Sequence, residues 1–380
     1  MQWDKDAHTG QIDPNPLYGF PGRWYDSAML VCFTGGGTLG HIYPALAVHQ
    51  ELAEAESYSG FWIGRNDPTE KRIVEEAGLS FHPIPSGKLR RYPSLRNVTD
   101  GFKVLWAIGS AYRILKRRKP DLLFSKGGFV SVPPVVAAHL LRIPVISHES
   151  DISPGLATRI NARFSDLVCV PFAEGFDHLG RKKLRVTGNP VRKDLLEAVR
   201  TPFVRSDDAR PLLLVLGGSG GSAAINALIE KTLDELLLVC SVHHQVGPDT
   251  PLPPSRPDYT AVEFIGEELA SLLHKADLIV SRSGAGVLEE LKLFGKASIL
   301  LPLGRKTSRG EQEANARHLE AKGAAVVLYE PVDPDVFVRT VRSLIDDPAG
   351  RENLARTMGS LGDGSAARTI GAIILGWRNV

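Results

Sequence analysis

A glycine-rich turn near the start of the chain reads Phe33-Thr34-Gly35-Gly36-Gly37-Thr38-Leu39-Gly40-His41. A short apolar run at 29–33 leads into it, and a stretch with helical spacing follows at 44–55. Glycines let a ligand approach the backbone closely, and the start of the following helix offers free amide groups. The pattern predicts a strand, a ligand-binding turn and a helix, which together open an α/β domain.

Apolar runs of strand length recur along the chain and alternate with amphipathic stretches of helical length. They lie at 29–33, 61–64, 122–125, 145–147, 167–170 and 184–187, and then at 212–216, 236–242, 262–265, 278–281, 298–301 and 325–329. Buried strands that alternate with helices indicate parallel sheets covered on both faces. We therefore predict two doubly wound, Rossmann-like α/β domains that face each other across a cleft, with ligands at the carboxyl ends of the strands.

The boundary between the two predicted domains is expected near Gly188-Asn189-Pro190 and the polar run at 205–211. The length of 380 residues fits two domains better than one. We expect a poorly ordered leader at 1–28, an N-terminal domain at 29–190 and a C-terminal domain at 191–355. Residues 356–380 are expected to form a helix that returns toward the N-terminal domain.

Composition excludes several classes of protein. Hydrophobic residues make up 43% of the chain and charged residues 23%, so it is not mainly disordered. No apolar stretch reaches the ~20 residues that cross a bilayer, which favours a soluble or peripheral protein. Cys32, Cys169 and Cys240 lie far apart in strand-like runs, which predicts buried free thiols and a reducing, cytoplasmic compartment.

Positive charge is concentrated in one segment. The chain carries a net charge of +2, whereas residues 88–119 alone hold ten Lys or Arg and one acid, Asp100. A local basic field points to an anionic partner, either a membrane surface or nucleic acid. Beside Trp106, apolar residues follow at helical spacing: Phe102, Leu105, Ile108, Tyr112 and Leu115. Core packing explains such a stripe most simply, and an interfacial membrane helix is the alternative.

The first turn allows two kinds of chemistry. Gly35, Gly37 and Gly40 match the dinucleotide-binding pattern G-x-G-x-x-G, but the second strand ends in Arg65 rather than in an acid that binds a ribose. Arg65 suits a 2′-phosphate, so NADP stays an alternative. His41 lies at the helix start, where the dipole favours a neutral imidazole that accepts a proton. It is a candidate general base, and a capping or exposed histidine is the alternative.

Two further glycine turns follow strands in the second half. Gly217-Gly218-Ser219-Gly220-Gly221-Ser222 permits close approach of a ligand, with Ser219 as a hydroxyl donor; a flexible loop is the alternative. Ser281-Arg282-Ser283-Gly284-Ala285-Gly286 opens a helix and suits a diphosphate. In that helix Glu290 is a candidate for binding two ribose hydroxyls and Glu289 is its competitor. A charged helix surface is the alternative for both.

Polar side chains also follow a strand at His148-Glu149-Ser150-Asp151. The zinc-protease pattern H-E-x-x-H fails, because residue 152 is Ile, so we expect recognition of substrate hydroxyls instead. The D-x-D pattern of metal-dependent sugar transferases occurs in Asp4-Lys5-Asp6 and Asp333-Pro334-Asp335, but neither follows a strand, and the second is typical of a helix N-cap. We predict that no metal is needed, and that amides, a helix dipole and cationic side chains balance the leaving-group charge.

Taken together and in order, these motifs resemble those of one family. They lie at 35–45, 126–129, 148–149, 154–155, 187–192, 217–219, 281–285, 309–312 and 315–316. From about residue 29 to 375 the chain resembles the MurG family of GT-B glycosyltransferases. The resemblance implies inverting transfer of GlcNAc from UDP-GlcNAc to the C4 hydroxyl of undecaprenyl-diphospho-MurNAc-pentapeptide, without a cofactor or an essential metal.

The resemblance also implies roles for particular residues. On the donor side they are Thr38, Gly40, Arg192, Ser219, Ile265 through its backbone, Ala285, Glu290, Gln312 and Asn315. On the acceptor side they are Thr38, His41, Phe129, His148, Glu149 and Asp151, with His41 as the general base. The N-terminal domain would bind the acceptor and, through residues 88–119, an anionic membrane surface, while the C-terminal domain would bind UDP-GlcNAc. The enzyme would be peripheral at the cytoplasmic face of the cell membrane and would bind no nucleic acid.

Four positions depart from the family pattern. Gly220 and Glu311 each stand where the family has Gln, Phe129 stands where it has Tyr, and Ser150-Asp151 replaces Gln-Asn. The departures bear on fine substrate preference. Three alternatives stay open: a GT-B glycolipid synthase with a diacylglycerol acceptor, a UDP-GlcNAc 2-epimerase without an acceptor, and a nucleotide-binding oxidoreductase or non-catalytic sensor.

Overall fold

The computed structural model describes residues 28–37, 39–55, 57–85, 96–172, 174–176, 183–203, 210–218, 220–248, 250–254, 256–304, 308 and 310–377, without the side chains of 39 and 96–102. The leader predicted at 1–28 therefore lies outside the described residues, apart from Ala28. Within the described part, the chain forms two parallel sheets, each covered by helices on both faces.

The first sheet has seven strands. They are β1 (Met29–Thr34), β2 (Tyr58–Arg65), β3 (Ser80–Ile84), β4 (Leu122–Ser125), β5 (Val145–His148), β6 (Leu167–Val170) and β7 (Leu184–Val186). Their spatial order is β3-β2-β1-β4-β5-β6-β7, and every pair is parallel. The helices around it are α1 (Leu39–Ala53), α2 (Pro68–Glu76), α3 (Arg96–Arg118), α4 (Val132–Leu140) and α5 (Leu156–Phe164). A 3-10 turn at Phe129–Ser131 precedes α4.

The second sheet has six strands. They are β8 (Leu212–Leu216), β9 (Ser241–Gln245), β10 (Tyr259–Val262), β11 (Leu278–Ser281), β12 (Ser298–Leu300) and β13 (Val326–Val327), in the order β10-β9-β8-β11-β12-β13. The helices of this half are α6 (Lys193–Arg200), α7 (Ala223–Leu236), α8 (Leu269–Lys275), α9 (Ala285–Phe294), α10 (Glu311–Ala321), α11 (Pro334–Asp346) and α12 (Pro348–Gly359). All neighbouring strands are again parallel.

The alternation of side chains along β1 explains why helices cover both faces of its sheet. Phe33 packs in a cluster with Ile42 of α1, whereas Cys32 packs on the opposite face with Ala111 of α3 and Val135 of α4. Successive residues of a strand point to opposite faces, so an uninterrupted apolar strand needs a cover on each side. The predicted doubly wound α/β class is confirmed in both halves.

The last helix of the described residues packs on the first domain rather than on the second. The last helix, α13 (Ala366–Gly376), packs against α1, where Ile370 and Ile374 share a buried cluster with Ile42 and Leu52. A Cβ placed on Gly371 would lie 3.6 Å from the Cβ of Glu51, which is ordinary contact. The core of the first domain therefore includes residues from the far end of the chain.

Several predicted bounds are wrong. The strand predicted at 236–242 is β9 at Ser241–Gln245, because the apolar run begins in the last turn of α7. The strand predicted at 262–265 is β10 at Tyr259–Val262. Strand β3 is missed, since it lies at the sheet edge and contains a proline. Helix α1 begins five residues before the predicted start, so Pro44 lies inside it and removes one backbone donor.

The three cysteines are free and buried, as predicted. Burial raises the pKa of the Cys169 thiol to about 12 and that of Cys240 to about 11. Burial also holds the pKa of Cys32 well above its usual value. Since the thiolate is the reactive form, none of the three is suited to nucleophilic chemistry near neutral pH.

The apolar stripe of α3 is only partly a core face. Leu115 is fully buried, and Ile108 and Tyr112 pack against the same cluster, but Leu105 is 66% exposed and Trp106 is 65% exposed. Core packing is thus the wrong explanation for Leu105, while the side chain of Phe102 lies outside the described part of the structure. Among the described residues, every helix is too short or too polar to cross a bilayer.

Candidate active site

The first glycine turn packs against the loop that follows β4. Gly36 and Gly37 have φ angles of 128° and 93°, which favour glycine. A Cβ on Gly37 would lie 2.7 Å from the Phe129 ring, and one on Gly128 would lie 2.4 Å from the Gly36 carbonyl oxygen and 3.0 Å from His41 Cδ2. The turn, His41 and Phe129 therefore form one contiguous group at the carboxyl ends of β1 and β4.

A buried carboxyl group, which the sequence patterns did not single out, lies beneath this turn. Glu70 is 2% exposed and accepts hydrogen bonds from Trp62 Nε1 at 3.1 Å and from the Arg65 amide at 3.3 Å. A Cβ on Gly36 would approach both carboxyl oxygens within 2.9 Å. Burial raises the pKa of Glu70. The available signal was Asp67, three residues earlier, which is the N-cap of α2 and so starts the helix that carries Glu70.

The His148–Asp151 loop is held largely by its own residues. His148 is buried, and its Nε2 donates to the carbonyl oxygen of Gly188 at 2.9 Å. The Glu149 carboxylate accepts from the amides of Ser150 at 2.7 Å, Asp151 at 3.2 Å and Gly155 at 3.0 Å. Both side chains thus shape the loop, and their predicted contact with an acceptor stays a prediction.

A buried cation lies against the same loop. Lys126 is 1% exposed, and its ammonium group donates to the hydroxyl of Ser150. Burial lowers the pKa of Lys126 to about 8, although the nearby charges of Glu149 and Asp151 oppose that shift. Burial and the positive charge of Lys126 together hold the pKa of His148 well below its usual value. His148 is therefore neutral, and Lys126 supplies the positive charge of this loop.

On the donor side, Glu290 and Arg192 lie together near α1. Burial raises the pKa of Glu290 to about 7, and the charge of Arg192 opposes that shift. The Arg192 guanidinium lies 5.6 Å from the ring centroid of Tyr43, two residues beyond His41, and donates to Asp194 at 3.0 Å. A residue predicted for the donor therefore contacts the helix that carries the candidate base.

Glu289, the predicted competitor of Glu290, has a different role. Its carboxylate forms a buried ion pair with Lys292 at 2.6 Å and accepts from the Asn189 side chain at 3.4 Å. Lys292 also lies over the Phe172 ring, 4.7 Å from its centroid. Since Glu289 is committed to these contacts, the structure favours Glu290 for the ribose.

The second and third glycine turns are joined by one arginine. Arg282 donates to the hydroxyl of Ser222 at 2.7 Å and forms an ion pair with Glu330 at 2.6 Å. The same hydroxyl caps α7. Gly284 is the N-cap of α9 and has no side chain to cap it, so the amides that begin with Ala285 are left for other partners. Arg282 thus fixes the position of the two turns relative to each other at the carboxyl ends of β8 and β11.

Asn315 joins the two domains. Its Nδ2 donates to Asp151 Oδ1 at 3.2 Å and to the Ser283 carbonyl at 3.1 Å, while its Oδ1 accepts from the Ile152 amide at 3.1 Å. A residue predicted for the donor sugar therefore contacts one predicted for the acceptor. Gln312 lies one turn earlier, and its Oε1 accepts from the Leu303 amide at 3.0 Å.

The remaining predicted residues are placed as follows. Ile265 is buried, and its amide donates to Gln245 Oε1 at 2.9 Å. Gly40 is exposed in the first turn of α1. Thr38 and Ser219 lie outside the described residues.

Of the two D-x-D patterns, the one at Asp333 is the helix N-cap that the sequence predicted: its carboxylate accepts from the amides of Asp335 and Val336. The other lies in the leader, outside the described part. Within the described ranges, no group of three or more His, Cys, Asp or Glu side chains could hold a metal ion.

Comparison with known proteins identifies the family. Residues 31–170 match the glycosyltransferase family 28 N-terminal domain, and residues 212–363 match its C-terminal domain. A protein of Clostridium botulinum (strain Langeland) is 44% identical over 306 residues, 79% of this chain and 86% of its own. A protein of Treponema pallidum (strain Nichols) is 42% identical over 362 residues, 90% of this chain and 94% of its own. The chain belongs to glycosyltransferase family 28.

Both relatives are named UDP-N-acetylglucosamine–N-acetylmuramyl-(pentapeptide) pyrophosphoryl-undecaprenol N-acetylglucosamine transferase. Among solved structures, Acinetobacter baumannii MurG superposes with a TM-score of 0.72 at 26% identity, over 91% of this chain and 99% of its own. The resemblance to the MurG family and the GT-B fold are thereby confirmed. A Neisseria meningitidis UDP-GlcNAc 2-epimerase superposes with a TM-score of 0.64 at 18% identity, over 92% of this chain and 99% of its own, which concerns the fold alone.

Proposed function

We propose that this protein transfers GlcNAc from UDP-GlcNAc to the C4 hydroxyl of undecaprenyl-diphospho-MurNAc-pentapeptide, with inversion at the anomeric carbon. The observation that carries the proposal is the 42–44% identity to transferases named for this reaction, over 79–90% of the chain. The geometry supports it, because Arg192, whose charge acts on Glu290, lies over the ring of Tyr43, two residues beyond His41.

In the proposed step, the acceptor C4 oxygen attacks the anomeric carbon of GlcNAc while the bond to the UDP oxygen breaks. His41 takes the hydroxyl proton and then releases it to solvent. Holding both substrates in line supplies about 7–11 kcal/mol of the barrier reduction, and proton removal adds roughly 10²–10⁴-fold. The charge on the departing UDP is met by amides of the second and third glycine turns and by the uncapped start of α9.

The proposal assigns the donor to the C-terminal domain and the acceptor to the N-terminal domain. Glu290 would bind the ribose hydroxyls, with Arg192 beside it, and Gln312 and Asn315 would lie near the GlcNAc. Phe129, His148, Glu149 and Asp151 would border the acceptor. Thr38 and Ser219 keep the roles that the family resemblance implies for them.

We also propose that the enzyme is peripheral at the cytoplasmic face of the membrane and binds no nucleic acid. The support is α3, which exposes Leu105 and Trp106 and ends in Lys116, Arg117 and Arg118. Exposed apolar side chains next to basic ones suit an anionic lipid surface. Of the basic segment at 88–119, residues 88–95 lie outside the described part.

Radiolabelled UDP-GlcNAc with a short-chain analogue of the lipid-linked muropeptide tests the function. We expect label in the disaccharide lipid and release of UDP. Label in diacylglycerol, or conversion of UDP-GlcNAc to its 2-epimer without an acceptor, would replace the proposal by one of the alternatives. Thermal stabilisation by NADP and not by UDP would replace it by a nucleotide-binding oxidoreductase.

A further inference from the structure

Two charged side chains of α9 are buried as a pair. Glu289 is 8% exposed and Lys292 is 3% exposed, and they form an ion pair at 2.6 Å, one helical turn apart. Charged side chains are almost never buried to this extent unless they are paired. On the same helix, Leu288 and Leu291 pack in the core of the second domain. Helix α9 thus has an apolar face for its own core and a buried charged pair with other partners.

The partners of this charged pair belong to the first domain. Lys292 Nζ lies 4.7 Å from the centroid of the Phe172 ring, in the segment after β6. Glu289 Oε1 accepts from Asn189 Nδ2 at 3.4 Å, and the same nitrogen donates to the Ser150 carbonyl oxygen at 3.0 Å. Asn189 therefore connects α9 to the loop that follows β5.

The contact is closely packed on its other sides. The ring centroid of Phe172 lies 4.4 Å from that of His318 in α10, so this ring contacts two helices of the second domain. A Cβ on Gly362 would lie 3.3 Å from Cβ and Cδ of Lys292 and 3.5 Å from Glu289 Oε2. A close-packed contact of this kind leaves little room for α9 to shift on the first domain.

Helix α9 is also the helix that carries the donor in the proposed function. Its uncapped start would meet the diphosphate, and Glu290, the residue after Glu289, would bind the ribose. A shift of α9 on the first domain would therefore move the donor relative to His41. We propose that Glu289, Lys292 and Phe172 are positioning residues, which fix α9 on the first domain and so hold the donor in line with the acceptor hydroxyl. The inference rests on the proposed function, which places the donor on α9.

A positioning role of this kind acts on the rate of transfer and not on affinity for the donor. The proposed function assigns none of the three side chains to either substrate. In-line placement of two bound substrates is sensitive to distance, and a misplacement of about 1 Å can cost roughly 10²-fold in rate. Loss of the contact should therefore lower kcat and leave the Kd for UDP nearly unchanged.

The double variant E289Q/K292M of the full chain tests the proposal. It removes both charges together, so neither is left buried and unpaired, and the glutamine keeps an acceptor for Asn189. With UDP-GlcNAc and the lipid-linked muropeptide analogue, kcat should fall roughly 10–100-fold, and calorimetric titration should give a Kd for UDP within about twofold of the parent value. E352Q/R356M, which removes an ion pair whose side chains are 75% and 71% exposed in α12, is the matched control and should change neither.

A second pair of variants tests the first-domain side of the contact. Phe172→Leu keeps an apolar side chain and removes the ring under the Lys292 ammonium group, so kcat should fall at least about threefold. Phe172→Tyr keeps the ring, and kcat should stay within about twofold of the parent value. The Kd for UDP should stay the same in both.

The contrary outcomes are distinguishable. Unchanged kcat in an E289Q/K292M variant that still binds UDP would overturn the positioning role and leave the proposed function intact. Equal losses of kcat and of UDP affinity would also overturn it, because the pair would then act within the donor site. If the double variant fails to fold, equal kcat in Phe172→Leu and Phe172→Tyr overturns the role, and a loss confined to Phe172→Leu supports it. Absence of GlcNAc transfer by the parent chain would overturn the proposed function itself.

Discussion

The side-chain amide of Asn315 donates to the carboxylate of Asp151 at 3.2 Å, and the two residues belong to opposite domains. In the MurG pattern the position of Asp151 is an asparagine, which can turn either end of its amide toward a partner. A carboxylate only accepts, so in this chain Asn315 must donate and Asp151 must accept. The neighbouring Lys126 compensates the charge. We therefore expect this pair to help hold the two domains together.

The Asn315–Asp151 contact can be measured by a double-mutant cycle. Asn315→Ala and Asp151→Ala should each lower kcat/KM for UDP-GlcNAc, and their effects should be less than additive, with a coupling of about 0.5–1.5 kcal/mol. Asn353→Ala, an exposed asparagine of α12, is the control and should leave kcat/KM unchanged. Strict additivity would show that the two residues act independently.

Replacement of His41 should separate chemistry from donor binding. His41→Ala should lower turnover by roughly 10²–10⁴-fold, since the acceptor hydroxyl loses its proton acceptor, while the Kd for UDP changes little. Steady-state kinetics and titration with UDP measure the two effects. His139→Ala, at an exposed position of α4, serves as the control. Unchanged turnover in His41→Ala would remove this side chain from the mechanism.

Glu290 should make donor binding depend on pH. Burial raises the pKa of its carboxyl group to about 7, so the group is largely protonated at pH 6 and ionised at pH 8. Only the ionised form accepts hydrogen bonds from both ribose hydroxyls with both oxygens, so UDP affinity should rise across this range. Glu290→Gln should abolish this rise in UDP affinity, apart from the rise that ionisation of the UDP phosphate itself causes. Glu352→Gln, at an exposed position, should leave the rise unchanged. A Glu290→Gln profile parallel to that of the parent would contradict the assignment.

Membrane association should depend on the exposed part of α3. Sedimentation with anionic phospholipid vesicles should recover the parent chain at low salt and less of it at high salt. Trp106→Ala, which removes an apolar side chain that is 65% exposed, should weaken binding several-fold. Leu238→Ala, on a side chain that is 74% exposed in the second domain, is the control. Equal loss of binding in both variants would argue against a specific surface on α3.

Transfer should proceed in the presence of a chelator. The proposed mechanism balances the charge of UDP with backbone amides and the start of α9, so addition of EDTA should leave kcat within about twofold of its value in magnesium. Activity that disappears in EDTA and returns with magnesium would contradict this prediction. The same assay run with a metal-dependent glycosyltransferase shows that the chelator is effective.

Sequence patterns predicted the strands and turns that are determined by residues close together in the chain. The apolar run of β1 and the glycines behind it specify the first turn, and the N-cap at Asp333 needs only its own helix. Leu236–Cys240 misled the prediction, because Leu236 ends the buried face of α7 and Cys240 is buried after the turn that follows it. Where neighbouring residues determine an element, sequence patterns are sufficient to predict it.

The partners within the site could not be predicted in the same way. Glu70 and Phe172 carry no motif of their own, and their importance comes from distant residues that the fold brings into contact with them. Likewise, nothing in the order of residues reveals that Glu149 caps its own loop or that Glu289 pairs with Lys292. Such contacts depend on tertiary packing, which spacing along the chain does not encode.

The packing of α13 on α1 has a consequence for how the molecule must be assembled. The helix that bears His41 buries one flank against Ile370 and Ile374, which follow the whole second domain in the sequence. The first domain, though synthesised before the second, therefore keeps an apolar flank of α1 exposed to water until α13 has been synthesised. A fragment that stops between the two sheets would accordingly be prone to aggregation, and a truncation that removes α13 would destabilise the first domain although the second domain lies between them in the sequence.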